Sequence, residues 1–333
     1  MREFALLDRL FALNAELPPS VLIPPGDDMA LVSLAGSDRV LVAADSAIEG
    51  RHAPLGCDPY LIGKKAVLRN LSDVAAMGGA RPVATIACAI LPRGIDEARA
   101  WRLAEGLRET AARWGAPLVG GDIATSASAA VGAGIIASVT ILAVPLSPGA
   151  RIATRGDARA GDCVYVTGTI GGAWDRATGL GRHLDFTPRI DAAQELAATL
   201  GERLGAMIDV SDGLGRDLGH IAKQSGVAIE VDIARVPVAS GTDAFDAIAH
   251  GEDYELAFTA RGDVPTSVAG VSVTRIGTVV AAIGDARGVR ARDQAGNWID
   301  ITRAGFEHDG SSPGGHSRGG HSHDGAARGR GAT

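Results

Sequence analysis

From residue 58 to residue 77 apolar positions recur at three- and four-residue steps (Leu61, Ile62, Ala66, Val67, Leu71, Val74, Ala75). That spacing predicts a helix, with Asp58 as its N-cap and Gly78-Gly79 as its stop. Asp73 falls inside it. Unbroken apolar runs predict strands: RVLVAAD (39–45), which ends on a carboxylate, PVATIACAIL (82–91), the short APLVGGD (116–122), which delivers a second carboxylate, and GIIASVTILAV (134–144). A further helix is predicted over 96–114. This alternation fits one mixed α/β domain over residues 1–145, and the turn-rich SPGARIATRGDARAGD opens the next.

In the second half CVYVTG and AMIDV read as strands, the latter ending at Asp209. A helix over 212–225, capped by Asp212 and stopped by Gly226, follows. VAIEVD, EDYELAFTA (252–260) and VSVTRIG (271–277) complete a second α/β domain over 146–307. Residues 308–333 contain no large apolar side chain, so nothing offsets the entropy of ordering that backbone, and a disordered His/Gly-rich tail is expected.

At the N-terminus, MREFALLDRLFALNAEL mixes charges into its apolar residues and reads as an amphipathic helix, not an export signal. The most apolar stretch, 131–145, is too short and too β-branched to span a membrane as a helix. A soluble, cytoplasmic protein is expected. Acidic residues outnumber basic ones by 39 to 32, which argues against a nucleic-acid footprint. Cys57, Cys88 and Cys163 form no CxxC pair, so neither a zinc site nor a disulfide framework is indicated.

The chemistry lies in aspartates flanked by apolar segments or glycines: Gly26-Asp27-Asp28, Asp45, Asp73, Gly120-Gly121-Asp122, and Asp209-Val210-Ser211-Asp212. Carboxylates drawn into partly buried ground are costly without cations. Magnesium, which takes oxygen ligands from a few carboxylates and from substrate phosphates, is the natural partner. Glycines beside Asp27 and Asp122 would let backbone N–H groups approach phosphate oxygens. Singly, each aspartate also reads as a turn former or helix cap.

Common nucleotide motifs are missing. Gly63-Lys64-Lys65 lacks the Walker A spacing, and Gly132-Ala133-Gly134 leads into a strand instead of a helix. No kinase catalytic loop or HExxH helix occurs. A carboxylate-rich phosphoryl-transfer site without a P-loop is what these exclusions leave.

PGDDMALV, AADSAIEGRH, NLSDVAAMGGARP, LVGGDIA, SVTILAVP, RAGDCVYVTGTIGG, MIDVSDGLGRDLGHIAKQSGVAIEVD and HGEDYELAFT occur in that order, and as a set they resemble the thiamine-monophosphate kinases, within the larger group related to aminoimidazole-ribotide synthetase. The resemblance implies a two-domain α/β subunit, a homodimer paired through its N-terminal domains, and ATP bound with several magnesium ions. Carried over by motif position, Asp28, Asp45, Asp73, Asp122, Asp209 and Asp212 become metal ligands, with Asp27 nearby. Gly121, Arg155 and Ser211 become nucleotide contacts beside Asp122. His52, Glu252 and Phe306 become contacts of thiamine monophosphate, with Phe306 alternatively pinning the C-terminus to the core.

The chain departs from that pattern in the loop after Asp122, which reads Ile123-Ala-Thr-Ser-Ala and lacks a usual arginine, in His250 where glycine is usual, and in the added tail. A phosphate oxygen as nucleophile is already anionic, so direct transfer needs no general base, and no Ser-His or Cys-His pair is found. Alternatives are another ATP-using relative, such as aminoimidazole-ribotide synthetase, or a non-catalytic metal or nucleotide sensor. The absence of a cysteine before Cys57 and after Cys163 speaks against the selenophosphate and hydrogenase-maturation branches.

Overall fold

A computed structural model describes residues 7, 17–24, 26–34, 39–126, 134–282, 287–293 and 295–307. Most of the expected N-terminal helix and all of the expected tail lie outside the described residues.

The first half forms strands β1 (Val21–Ile23), β2 (Ala30–Ser33) and β3 (Arg39–Ile48), helix α1 (Pro59–Ala76), β4 (Ala80–Leu91), helix α2 (Glu97–Arg113), β5 (Leu118–Thr125) and β6 (Ile136–Pro145). Its six strands make one mixed sheet in the order β1-β2-β3-β6-β4-β5. Helix α1 starts where the sequence says it should: Asp58 accepts the Tyr60 N–H at 3.0 Å, and Pro59 occupies the first turn, where a missing N–H costs nothing. Asp96 caps α2 in the same way through Arg99 N–H.

Two expectations about this half are corrected. Strand β3 runs on to Ile48, so Asp45 lies within it and not at its end, and β5 runs on to Thr125, so Asp122 is also internal. The extra pairings explain this, since Asp45 is opposite Val139 and the ladder continues to Ile48 opposite Ile136, while β5 pairs in parallel with β4 as far as Leu91 opposite Thr125.

The second half supplies β7 (Cys163–Thr167), α3 (Ile190–Leu200), β8 (Leu204–Asp209), α4 (Leu214–Ser225), β9 (Val227–Asp232), α5 (Ala244–His250), β10 (Leu256–Ala260), β11 (Ser267–Val268), β12 (Val271–Ala281), β13 (Gly288–Arg292) and β14 (Trp298–Asp300). The sheet order is β14-β13-β9-β12-β7-β10-β8, with β11 on β12. The strand expected over 252–260 begins only at Leu256, because Glu252 and Tyr254 adopt φ of +62° and +52°, which a strand cannot hold. Helix α4 begins at Leu214 with Gly213 at its cap. Asp212 does not cap it; Asp217, inside the first turn, accepts the N–H groups of Ser211, Asp212 and Gly213.

One core, which includes Ile62, Leu71, Val139, Leu196 and Phe258, continues from α1 and the first sheet through α3 to the second. The other, around Leu218, Ile221 and Ile229, lies between α4 and the second sheet. Burial alternates along β4 and β6, so the first sheet turns one face to its helices and leaves the other open. On that open face Ile86 and Ile90 are 40% and 44% exposed. Among the described residues, no helix is long and apolar enough to cross a membrane.

Candidate active site

The two halves meet where α1, β8 and the turn after β1 each deliver a carboxylate. Side-chain oxygens of Asp28, Asp73 and Asp209 lie within 4.8 Å of one another. Asp209 closes β8, where every residue is buried, and accepts the Ser72 hydroxyl at 2.6 Å. Burial, then the Asp28 charge, pushes its carboxyl up to about 7, while Ser72 and Arg155 pull the other way. Burial, followed by Asp45, Asp209 and Asp28, raises the Asp73 carboxyl well above the usual range. Like-charged oxygens crowded out of water are the donor set that a hard divalent cation fits.

Arg155 borders this cluster. Its Nε and one terminal nitrogen reach the two oxygens of Asp28 at 3.1 and 2.7 Å, the bidentate geometry that a guanidinium matches best. Its other terminal nitrogen donates to Gly26 O at 3.1 Å and its backbone N–H to Asp27 at 3.0 Å. Gly26 has φ of +125°, which a side chain would strain, so glycine is needed there for the turn itself. Burial and then the Asp28 charge raise the Asp27 carboxyl to about 7. Asp45 sits on the helix side of the first sheet, held by Arg69 from α1 at 2.8 and 2.9 Å.

A second trio, Asp212, Asp217 and His220, gathers at the start of α4. Asp212 therefore belongs to this group and not to the one around Asp209. Burial, then Asp212 and Asp209, raises the Asp217 carboxyl well above the usual range. Ser211 lies between the two groups and accepts the Glu252 N–H at 2.7 Å through its backbone oxygen.

Asp122 is not brought to either group. It is exposed, and its partner across the ladder is Cys88, which is also exposed, so both stand on the open face of the sheet, whereas Asp45 shares the helix face. Gly121 is required by β4: a Cβ there would lie 1.8 Å from Ala87 O.

The residues expected at the acceptor end are drawn together in part. His52 is buried, its Nδ1 accepting the Ile48 N–H at 3.0 Å. Glu252 is bound by Lys65 and Tyr254, with His183 Nδ1 3.3 Å away. Burial opposes ionisation of Glu252, but the cations Lys65 and Arg69 hold its carboxyl well below the usual range. Phe306 lies under the guanidinium of Arg51, 4.4 Å from ring centroid to carbon. Tyr254 stacks on Phe186 with centroids 3.8 Å apart.

Sequence reasoning missed Lys65, Arg69, Ser72, His183 and Tyr254. For the first two a signal existed. Lys65, Arg69 and Asp73 recur at four-residue steps, which puts them on one stripe of α1. For His183 none did, since it comes from a 3₁₀ turn (Arg182–Leu184) in a loop-rich region.

Comparison with known proteins follows the same outline. Residues 26–145 match the AIR synthase related protein N-terminal domain, and residues 159–283 the corresponding C-terminal domain. The thiamine-monophosphate kinase of Haemophilus influenzae is 31% identical over 92% of this chain and 98% of its own length. That of Escherichia coli K12 is 32% identical over 84% and 91%. Among solved structures, AaThiL complexed with AMPPCP and TMP is similar at 27% identity with a TM-score of 0.73, over 92% of this chain and 97% of that one. The HypE–HypF complex, at 21% identity and a TM-score of 0.68, shares the fold.

Proposed function

The chain belongs to the thiamine-monophosphate kinase family of AIR synthase related proteins, and from that premise we propose that it transfers the terminal phosphoryl group of ATP to thiamine monophosphate. The observation that carries this reading is the cluster of Asp28, Asp73 and Asp209, three carboxylates from separate segments within 4.8 Å. Magnesium held there would neutralise charge on the two phosphate chains as they approach. Everything else is positioning by the protein. Arg155 fixes Asp28 from both oxygens, Ser72 orients Asp209, and Arg69 orients Asp45. The attacking oxygen belongs to a phosphate, so the site needs no base to generate it.

Residues 1–145 would carry most of the metal and nucleotide contacts, with Asp27, Asp28, Asp45 and Asp73, while Gly121 and Asp122, on the strand that faces away, would contribute to the site of a second copy. Residues 146–307 would add Asp209, Asp212, Arg155, Ser211 and the acceptor contact Glu252, and His52 and Phe306 would flank the thiamine. The apolar open face of the first sheet, with Ile86 and Ile90 part-exposed, supports a homodimer packed through that face. A cytoplasmic location is consistent with the family's small-molecule substrates.

The test is to incubate the protein with magnesium, ATP and thiamine monophosphate and to resolve ADP and thiamine diphosphate by chromatography. Both products should appear in equal amounts and require all three additions. ADP without thiamine diphosphate, or nucleotide binding without turnover, would overturn the reading.

A further inference from the structure

Lys65 is 0% exposed, and its ammonium meets three acceptors: His52 O at 2.7 Å, His183 Nδ1 at 2.7 Å, and Glu252 Oε2. All three of its hydrogens are thereby used. Burying an ammonium is expensive, and a methionine of similar shape would fill the same space at less cost, so the arrangement calls for a reason beyond stability. The three partners come from three places: the loop after β3, the 3₁₀ turn at Arg182–Leu184, and the segment before β10. With Nδ1 accepting from Lys65, the ring of His183 carries its proton on Nε2 and donates it to Gly179 O at 3.0 Å.

The segment around Glu252 is held under strain. Glu252 and Tyr254 both lie at positive φ, a conformation that non-glycine residues keep only where the surroundings enforce it. Backbone bonds from Glu252 N–H to Ser211 O and from Tyr254 N–H to Val210 O tie it to the residues following Asp209. Asp253 is gripped by Arg182 at 2.7 Å, and Glu255 by Arg189 at 2.6 and 2.8 Å. Lys65 links this segment by hydrogen bond to α1, the helix that also carries Asp73 two turns further on. Eight residues of helix separate Lys65 from Asp73, about 12 Å. Glu252 thus sits at a fixed remove from the carboxylate cluster, with its Oε2 occupied by Lys65 and Tyr254 and its side chain 20% exposed.

We infer that Lys65 is a positioning residue that holds the Glu252 carboxylate at the acceptor end of the site and so sets affinity for thiamine monophosphate without affecting that for ATP. The assignment rests on the kinase reading above. Lys65 touches neither substrate, and it acts through Glu252.

Steady-state kinetics on Lys65→Met, Glu252→Gln and the double variant test it. Lys65→Met should raise KM for thiamine monophosphate about 30-fold or more, with KM for ATP within about 2-fold of wild type. Because Lys65 works through Glu252, the double variant should match Glu252→Gln within about 2-fold instead of multiplying the two losses. Should the unpaired carboxylate prevent Lys65→Met from folding, Lys65→Gln, which keeps donors without the charge, replaces it. A folded Lys65 variant with wild-type KM for thiamine monophosphate, an equal loss of ATP affinity, or fully multiplicative losses would each overturn the assignment. Wild-type protein that makes no thiamine diphosphate would instead sink the kinase reading, and this assignment with it.

Discussion

Stripping divalent metal from this protein should give it an unusual stability profile, in which it weakens as pH rises from acid to neutral. The cause is the set of carboxyls raised in the folded state, among them Asp209 at about 7 against 3.8 unperturbed. Between those values the folded carboxyl keeps a proton that the unfolded one has lost, so the folded state binds more protons and stability falls with rising pH. The size follows from two routes. Two carboxylates within 4.8 Å repel by about 3 kcal/mol or more at an effective dielectric constant of about 20. A shift from 3.8 to about 7 corresponds to a loss on the order of 4 kcal/mol. At about 2 °C per kcal/mol for a chain of this size, Tm should drop by about 6–8 °C between about pH 4.5 and pH 8. Magnesium at about 100 times its Kd should return about 2.7 kcal/mol, or about 5 °C, at the upper pH. The assay is scanning calorimetry of chelator-treated protein across that range, with and without magnesium. Asp209→Asn is the control, since asparagine can still accept from Ser72 but cannot ionise. Its profile should be flatter than wild type and its response to magnesium smaller. A chelated wild type whose Tm is level or rises over this range, with no gain from magnesium, would refute the reasoning.

Arg155→Met leaves the Asp28 carboxylate buried without its guanidinium and should cost about 3–5 kcal/mol by urea denaturation, with Asp28→Asn on top restoring most of it. Free thiamine should not be phosphorylated, because the acceptor has to bring its own phosphate; a thiamine monophosphate peak from free thiamine on chromatography would contradict this. If the open sheet faces pack together in a homodimer, Asp122 of one copy can serve the site of the other. Mixing inactive Asp122→Asn with inactive Asp209→Asn should then restore about a quarter of wild-type activity, and no recovery after subunit exchange would exclude such sharing.

The parts of the fold that were legible in the sequence are those set by local rules. Asp58 caps its helix as its position suggested, the helix expected over 96–114 forms, and Gly226 ends α4 in the left-handed conformation. What could not be read is where ladders continue, because that depends on a neighbouring strand. Asp45 and Asp122 looked terminal only because an Asp in an apolar run resembles a boundary; β6 and β4 carry the pairing past them. The same limit applies to the site. Motif order named Asp28, Asp73 and Asp209, which the fold brings together. It gave no hint that Asp122 faces away across three strand spacings, about 14 Å from the strand bearing Asp45. Glu252 was named, but Lys65 and His183, which fix it, were not, since their partnership crosses both domains.

The pairing of charges also supports the proposal that a cation from outside would settle among Asp28, Asp73 and Asp209. Asp28 has Arg155, Asp45 has Arg69, Glu252 has Lys65, Asp253 has Arg182 and Glu255 has Arg189. Each pair joins segments far apart in the chain, so these cations hold the site together as well as neutralising it. Among the described residues Asp73 and Asp209 form no ion pair, although both are drawn into the centre and both are pushed upward by burial, Asp73 then by Asp45, Asp209 and Asp28, and Asp209 by Asp28. An arginine placed between them would neutralise the centre permanently and fill the space that phosphate oxygens would enter in the proposed reaction. A metal ion, which can share its coordination shell between protein carboxylates and a nucleotide, neutralises the same oxygens while leaving room for the substrate. The missing guanidinium is therefore as informative as the carboxylates themselves.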